Sequence, residues 1–222
     1  MNRNVFKLAN DIARGRNLFV AGLVFAFALG AISVASAQTV TPPTTPTDIT
    51  PPEGNVAFLV GHAFGSQGYT CLPTSTGGTS WTINPARPEA TLFTKLFGQP
   101  LEIITHFTSI NEKPKEGVVP PLSGNATWQS SFDSSRVWAK AIGTPLVAGT
   151  DASCPNSGSI PCLLLESVGN DKGPAGGRLL ADTTFVQRLN TNGGAAPTSA
   201  CSVGQTQLQP YTADYYFYHQ EQ

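Results

Sequence analysis

Apolar residues in this chain come in short runs, each cut off by glycine, proline, serine or asparagine. With 22 Gly and 18 Pro among 222 residues, breakers recur too often for typical helices beyond the N-terminal region. The runs at residues 56–61, 67–71, 80–83, 101–107, 136–142, 162–168, 183–190 and 213–219 favour Val, Phe, Tyr, Trp and Thr. Those side chains fit a pleated, half-buried surface, so each run predicts a strand. Residues 162–168 open on the apolar run Cys162-Leu163-Leu164-Leu165 and are expected to be a central strand buried on both faces. Only residues 88–97, opening on Pro88, read as a candidate helix. The expected fold is all-β: a single-domain antiparallel β-sandwich or barrel-like fold with few or no helices, stapled by disulfides.

The N-terminus has the three parts of an export signal. Arg3, Lys7, Arg14 and Arg16 supply a positive segment, residues 18–34 an uncharged apolar run, and Ala35-Ser36-Ala37 a small-residue cleavage pattern. Residues 1–37 are therefore expected to be a signal peptide cut before Gln38. The competing reading, an uncleaved anchor, needs roughly 20 apolar residues, and the run falls short of that. Residues 38–55 hold Thr-Pro-Pro-Thr-Thr-Pro and Pro-Pro-Glu-Gly. Such a segment has too little apolar surface to fold alone and is expected to be a disordered, partly polyproline II leader to a domain at 56–222. Export implies a periplasmic or extracellular destination, with the membrane met only transiently through the signal.

Without the signal the chain carries nine basic and 13 acidic residues, a net charge of −4. The basic residues are scattered, which argues against nucleic acid, whose phosphates need clustered Lys and Arg. Four cysteines behind an export signal predict two disulfides. Three connectivities are possible, and Cys154–Cys162 with Cys71–Cys201 is preferred. The first pair encloses the turn-rich Pro-Asn-Ser-Gly-Ser-Ile-Pro, and the second would tie the first strands to the last. No Cys-x-x-Cys pair suggests a zinc site.

Several blocks resemble those of one family. They are Gly65-Ser66-Gln67-Gly68-Tyr69-Thr70-Cys71, Pro88-Glu89-Ala90-Thr91-Leu92-Phe93, and His106-Phe107 with Thr127-Trp128. Ile160-Pro161-Cys162-Leu163-Leu164-Leu165, the polar stretch 187–197 ending at Cys201, and the aromatic stretch 210–218 continue the match. The family is the secreted bacterial and fungal domain of unknown function 3455, for which no activity is established. The resemblance supports pairing Cys71 with Cys201. The chain departs from the pattern in three places. Cys162 stands where the family has Trp, with Cys154 just upstream. A Pro- and Lys-containing loop, 108–125, is inserted between the His106 and Trp128 blocks, which puts a joint site in doubt. Asp133-Ser134-Ser135 replaces an Asp-Gly-Ser turn.

Catalytic signatures are weak. Residues 61–68 are glycine-rich, but their spacing does not match a dinucleotide loop and no helix follows, so a strand bend or bulge is the expected role. His62, His106 and His219 have no local ligand spacing, even with Glu102 or Asp214 as partners. No Gly-x-Ser-x-Gly elbow is present. Glu102, Glu166 and Asp214 are the acids that distant strands would have to bring together for glycoside hydrolysis. Arg188 and Asn190 alternate onto one predicted strand face, either to bind an anion or sugar or to hold a turn. Tyr215 and Phe217 fall on one face of the last strand, and Tyr216 and Tyr218 on the other. One face is expected to be core and the other core-plus-edge or a stacking platform. Asn125-Ala126-Thr127 is a formal glycosylation sequon.

The resulting expectation is a non-enzymatic extracellular or envelope module that binds a glycan or a protein, without cofactor or metal. Its candidate binding residues are His106, Trp128, Gln67, Tyr69, Arg188 and Asn190. The alternative is a secreted hydrolase or metal-dependent enzyme using His106 with His62 or strand carboxylates.

Overall fold

The computed structural model describes residues 40–221; the expected signal peptide lies outside them. Eight strands run in chain order: β1 (Asn55–Pro73), β2 (Thr79–Leu96), β3 (Gln99–Ser109), β4 (Asn125–Ser130), β5 (Arg136–Leu146), β6 (Cys162–Asp171), β7 (Phe185–Gly193) and β8 (Thr206–Gln220). Each pairs antiparallel with its sequence neighbour, and β8 returns to β1 to close a barrel. Of the two architectures expected, the barrel is the one formed and the sandwich is not. The closing seam runs from Asn55↔Gln220 to Thr70↔Thr206, and the closed barrel leaves no strand edge unpaired.

Two expected strands, 56–61 and 67–71, are one continuous β1, with a register shift between Gln67 and Tyr69 where it pairs with β2. The glycine-rich segment is thus strand and bulge. The candidate helix at 88–97 is instead strand: residues 88–96 belong to β2, because Ala90 and Leu92 alternate into the core while β-branched Thr91 lies between them. β4, which is polar apart from Ala126 and Trp128, was not expected as a strand at all.

Two clusters hold the molecule together. The barrel interior is filled by Leu92, Ile104, Trp128, Val137, Val186, Tyr215 and Phe217, with small residues facing them on β1. A Cβ at Gly61 would meet the side chain of Leu92, and one at Gly65 would run into the Glu89 carbonyl and Ala90. These two glycines let β1 lie close against β2. The second cluster is on the outer face of β6 to β8, where Leu164, Leu189, Tyr216 and Tyr218 pack with Cys154, Cys162 and Ile49. Tyr216 and Tyr218 are buried, so neither is a surface stacking platform.

The described part of the expected disordered leader covers that outer cluster. Its 3-10 helix, Thr47–Ile49, places Ile49 fully inside, and the Ile49 carbonyl accepts 2.6 Å from Gln187 Nε2. One deeply buried isoleucine and one buried hydrogen bond are enough to order a proline-rich segment whose backbone is already restricted. The loop after β3 straps the outer wall at β5 and β6. Trp138 Nε1 donates to Ser109 Oγ at 2.8 Å, Asn111 Nδ2 to the Val168 carbonyl at 3.1 Å, and Arg136 bridges Glu112 and Asp171, both at 3.1 Å. Among the described residues no helix is long and apolar enough to cross a membrane.

Candidate functional site

Antiparallel hairpins place four connections at one end of the barrel: β1–β2, β3–β4, β5–β6 and β7–β8. Both disulfides are at this end. Cys71–Cys201 joins the end of β1 to the β7–β8 connection, and Cys154–Cys162 closes the β5–β6 connection. The preferred pairing is the one formed.

Just inside this end is a cup with a volume of ≈ 200 Å³. Gln67 of β1, Ile83 and Pro88 of β2, His106 of β3, Ala126 and Trp128 of β4, Leu163 and Leu165 of β6, Arg188 of β7 and Tyr215 of β8 line it. Barrels of eight strands are just wide enough for side-chain filling or for one small ligand, and the mouth is a common place for the latter.

His106 and Trp128 are directly opposite each other across the β3–β4 ladder. Their rings stack at 4.2 Å between centroids and 5° between planes, despite the inserted loop between them. Tyr215 closes on both rings, at 5.4 Å and 5.6 Å. The ring of His106 is buried, which drives its pKa down to about 4, while its bond to the Thr127 carbonyl works upward and the nearby Arg188 adds to the fall. His106 is therefore neutral at pH 7. Its Nδ1 is 2.9 Å from that carbonyl, which can only accept, so Nδ1 carries the proton and Nε2 presents a lone pair. Nε2 has no protein partner among the described residues. Trp128 Nε1 is buried without an acceptor.

Arg188 is held from the β5–β6 connection: Nε and Nη2 donate to the Pro161 carbonyl at 3.2 Å and 2.8 Å. Among the described residues it has no carboxylate partner, whereas Arg136 has two and Arg178 one. Pro161 is next to Cys162, so the short disulfide loop positions the guanidinium. Gln67 is buried, its Nε2 donating weakly at 3.3 Å to the Gly68 carbonyl.

Four of the six candidate binding residues, Gln67, His106, Trp128 and Arg188, thus meet in one cup. The other two do not join it. Tyr69 directs its hydroxyl to the Gly194 carbonyl at 2.7 Å and fastens the β7–β8 connection. Asn190 does not share a face with Arg188. A register shift between Leu189 and Asn192 breaks the alternation, Asn190 takes a φ of 49°, and its amide donates to Asp214 at 2.7 Å. Asp214 in turn is 2.6 Å from His62 Nδ1. Both alternate with inward residues, Ala213 and Ala63, so this network lies on the outer wall. His62 and His106 are therefore on opposite sides of β1–β3, and the His106–His62 form of the enzyme alternative is not assembled. Glu102 and Glu166 are exposed and do not line the cup. Among the described residues no cluster of three His, Cys, Asp or Glu could hold a metal ion. The sequon residue Asn125 is buried at the start of β4.

Sequence reasoning did not find Ile83, Ala126, Leu163 or Leu165 as cup residues. Period-two spacing was the available signal: Ala126 is two residues from Trp128, and Leu163 and Leu165 share one parity.

No curated protein and no solved structure matches the chain. A family model described as protein of unknown function (DUF3455) matches residues 51–219, and the chain belongs to that family.

Proposed function

We propose that this protein is an exported binding module that holds one small molecule in the disulfide-bounded mouth of its barrel. The observation that carries this is the convergence of a neutral His106, stacked on Trp128, and an Arg188 without a described carboxylate partner on one cup of ≈ 200 Å³. A ligand that pairs with the remaining Arg188 donors and the His106 lone pair gains hydrogen bonds worth about 0.5–1.5 kcal/mol net each. Of the two partner classes expected, a single glycan unit suits a cup of this size better than a protein. The absence of any carboxylate from the lining favours binding over hydrolysis. Two disulfides are stable in an oxidising compartment, which supports export.

The test is a small-molecule screen by native mass spectrometry, run on the oxidised protein and on Ala126→Phe, which fills the cup. The expected result is a retained or added ligand of one-to-one stoichiometry that the filled variant does not hold. Equal binding by both proteins would place the ligand elsewhere and defeat the proposal.

A further inference from the structure

The lining of the cup is specific about charge. Resting on the reading of the cup as a ligand site, we infer that its ligand is a small hydroxylated monocarboxylate, of sugar-acid size, with the carboxylate against Arg188 and a hydroxyl against His106.

Arg188 projects from β7 into the cup, partly buried, and has two donors, Nε and Nη2, bonded to a single carbonyl, Pro161. An arginine has five N–H donors in a fixed fork, so donors remain for a further acceptor. A carboxylate matches that fork and restores charge balance in a site walled by Ile83, Leu163 and Leu165. Taking a lone cation out of water without a counter-ion is unfavourable, and no side-chain carboxylate among the described residues supplies one.

The other polar groups narrow the class. His106 is neutral and stacked on Trp128, so among the described lining residues the cup holds one cation, Arg188, and matches one negative charge. His106 Nε2 is an acceptor, and a ligand donor such as a hydroxyl satisfies it where an acceptor group such as a carbonyl does not. Trp128 contributes its ring to the lining, stacked on His106. The ligand must therefore combine an anionic acceptor with at least one hydroxyl. The stacked rings and Tyr215 provide aromatic surface against which the ring face of a sugar packs.

Isothermal titration of the oxidised full chain tests this with four probes: glucuronate, galacturonate, glucose and benzoate. One or both uronates are expected to bind, with glucose at least tenfold weaker for lack of charge and benzoate at least tenfold weaker for lack of hydroxyls. Arg188→Met is expected to lower uronate affinity at least tenfold and bring it level with glucose. Because that change also frees the Pro161 carbonyl, Trp128→Phe serves as a second variant. It shortens the aromatic wall of the cup and is expected to weaken uronate binding while leaving Arg188 in place. Oligomeric uronate that binds no better than the monomer supports a ligand enclosed in the cup. Glucose binding as tightly as the uronates, unchanged in Arg188→Met, overturns the charge inference but leaves the cup as a binding site. Failure of both uronates to bind overturns the inference outright. Failure of Ala126→Phe to block a ligand found by screening defeats the underlying site as well.

Discussion

Burying His106 in the cup gives the fold a specific acid sensitivity. Its pKa falls from 6.5 to about 4 because the ring has lost water, with Arg188 adding to the fall and the Thr127 carbonyl opposing it. In the unfolded chain His106 takes a proton near pH 6.5, whereas in the folded chain it stays neutral until about pH 4. The unfolded state therefore binds more protons between those values, and stability rises with pH across the window. The contribution is fully present above pH 6.5 and is lost as pH falls toward 4. Two and a half pH units at 1.36 kcal/mol each give roughly 3 kcal/mol. The assay is urea unfolding of the native sequence and of His106→Gln at pH 7 and pH 4. The native protein is expected to lose about 3 kcal/mol more than the variant over that interval. Comparing pH dependences cancels the variant's lost bond to Thr127 and every contribution the two proteins share. Equal pH dependence in both proteins, or a His106 ring resonance titrating near 6.5, would refute the reasoning. An anion seated on Arg188 offsets one of the forces holding His106 down, so ligand binding is expected to raise the His106 pKa.

Other perturbations separate the parts of the fold. Converting Cys71 and Cys201 to Ser opens a loop with a sequence separation of 130, for which loop entropy gives about 5 kcal/mol as an upper figure. Converting Cys154 and Cys162 to Ser opens a loop with a separation of 8, worth about 2.5 kcal/mol, so chemical denaturation is expected to rank the first pair as the more damaging. Gly65→Ala is expected to cost at least about 3 kcal/mol, because its Cβ would meet backbone of the paired strand. Gly77→Ala, with nothing near its Cβ and a φ of 87°, is expected to cost only about 1 kcal/mol. Ser134 has a φ of 59° in a turn where the family pattern has Gly, so Ser134→Gly is expected to raise stability by about 0.5 kcal/mol, read as a melting temperature about 1–2 °C higher.

Much of the wall was legible from local pattern. The runs at 136–142, 162–168 and 183–190 largely fall within β5, β6 and β7, because β-branched and aromatic residues at period two have few other ways to bury themselves. The last strand divides as its alternation implies, Tyr215 and Phe217 inward, Tyr216 and Tyr218 outward. Residues 88–97 misled because proline at the start of an apolar run is also a helix opening, and only pairing with β1 and β3 decides for strand. β4 was missed because a lone Trp128 among polar residues carries no periodic signal until His106 is placed beside it.

The sequence by itself determined most of the strand-forming runs, a preferred pairing among three for the four cysteines, and a short set of polar and aromatic residues worth watching. Tertiary structure decided which of them act together. Period two assigns residues to faces but does not say which face is enclosed, and one register shift is enough to send Asn190 outside while Arg188 stays within. Closure of β1 on β8 joins residues at opposite ends of the domain, and no local pattern encodes a contact of that separation. The cup exists only because that seam closes, bringing Gln67 from the first strand and Tyr215 from the last around the stacked His106 and Trp128.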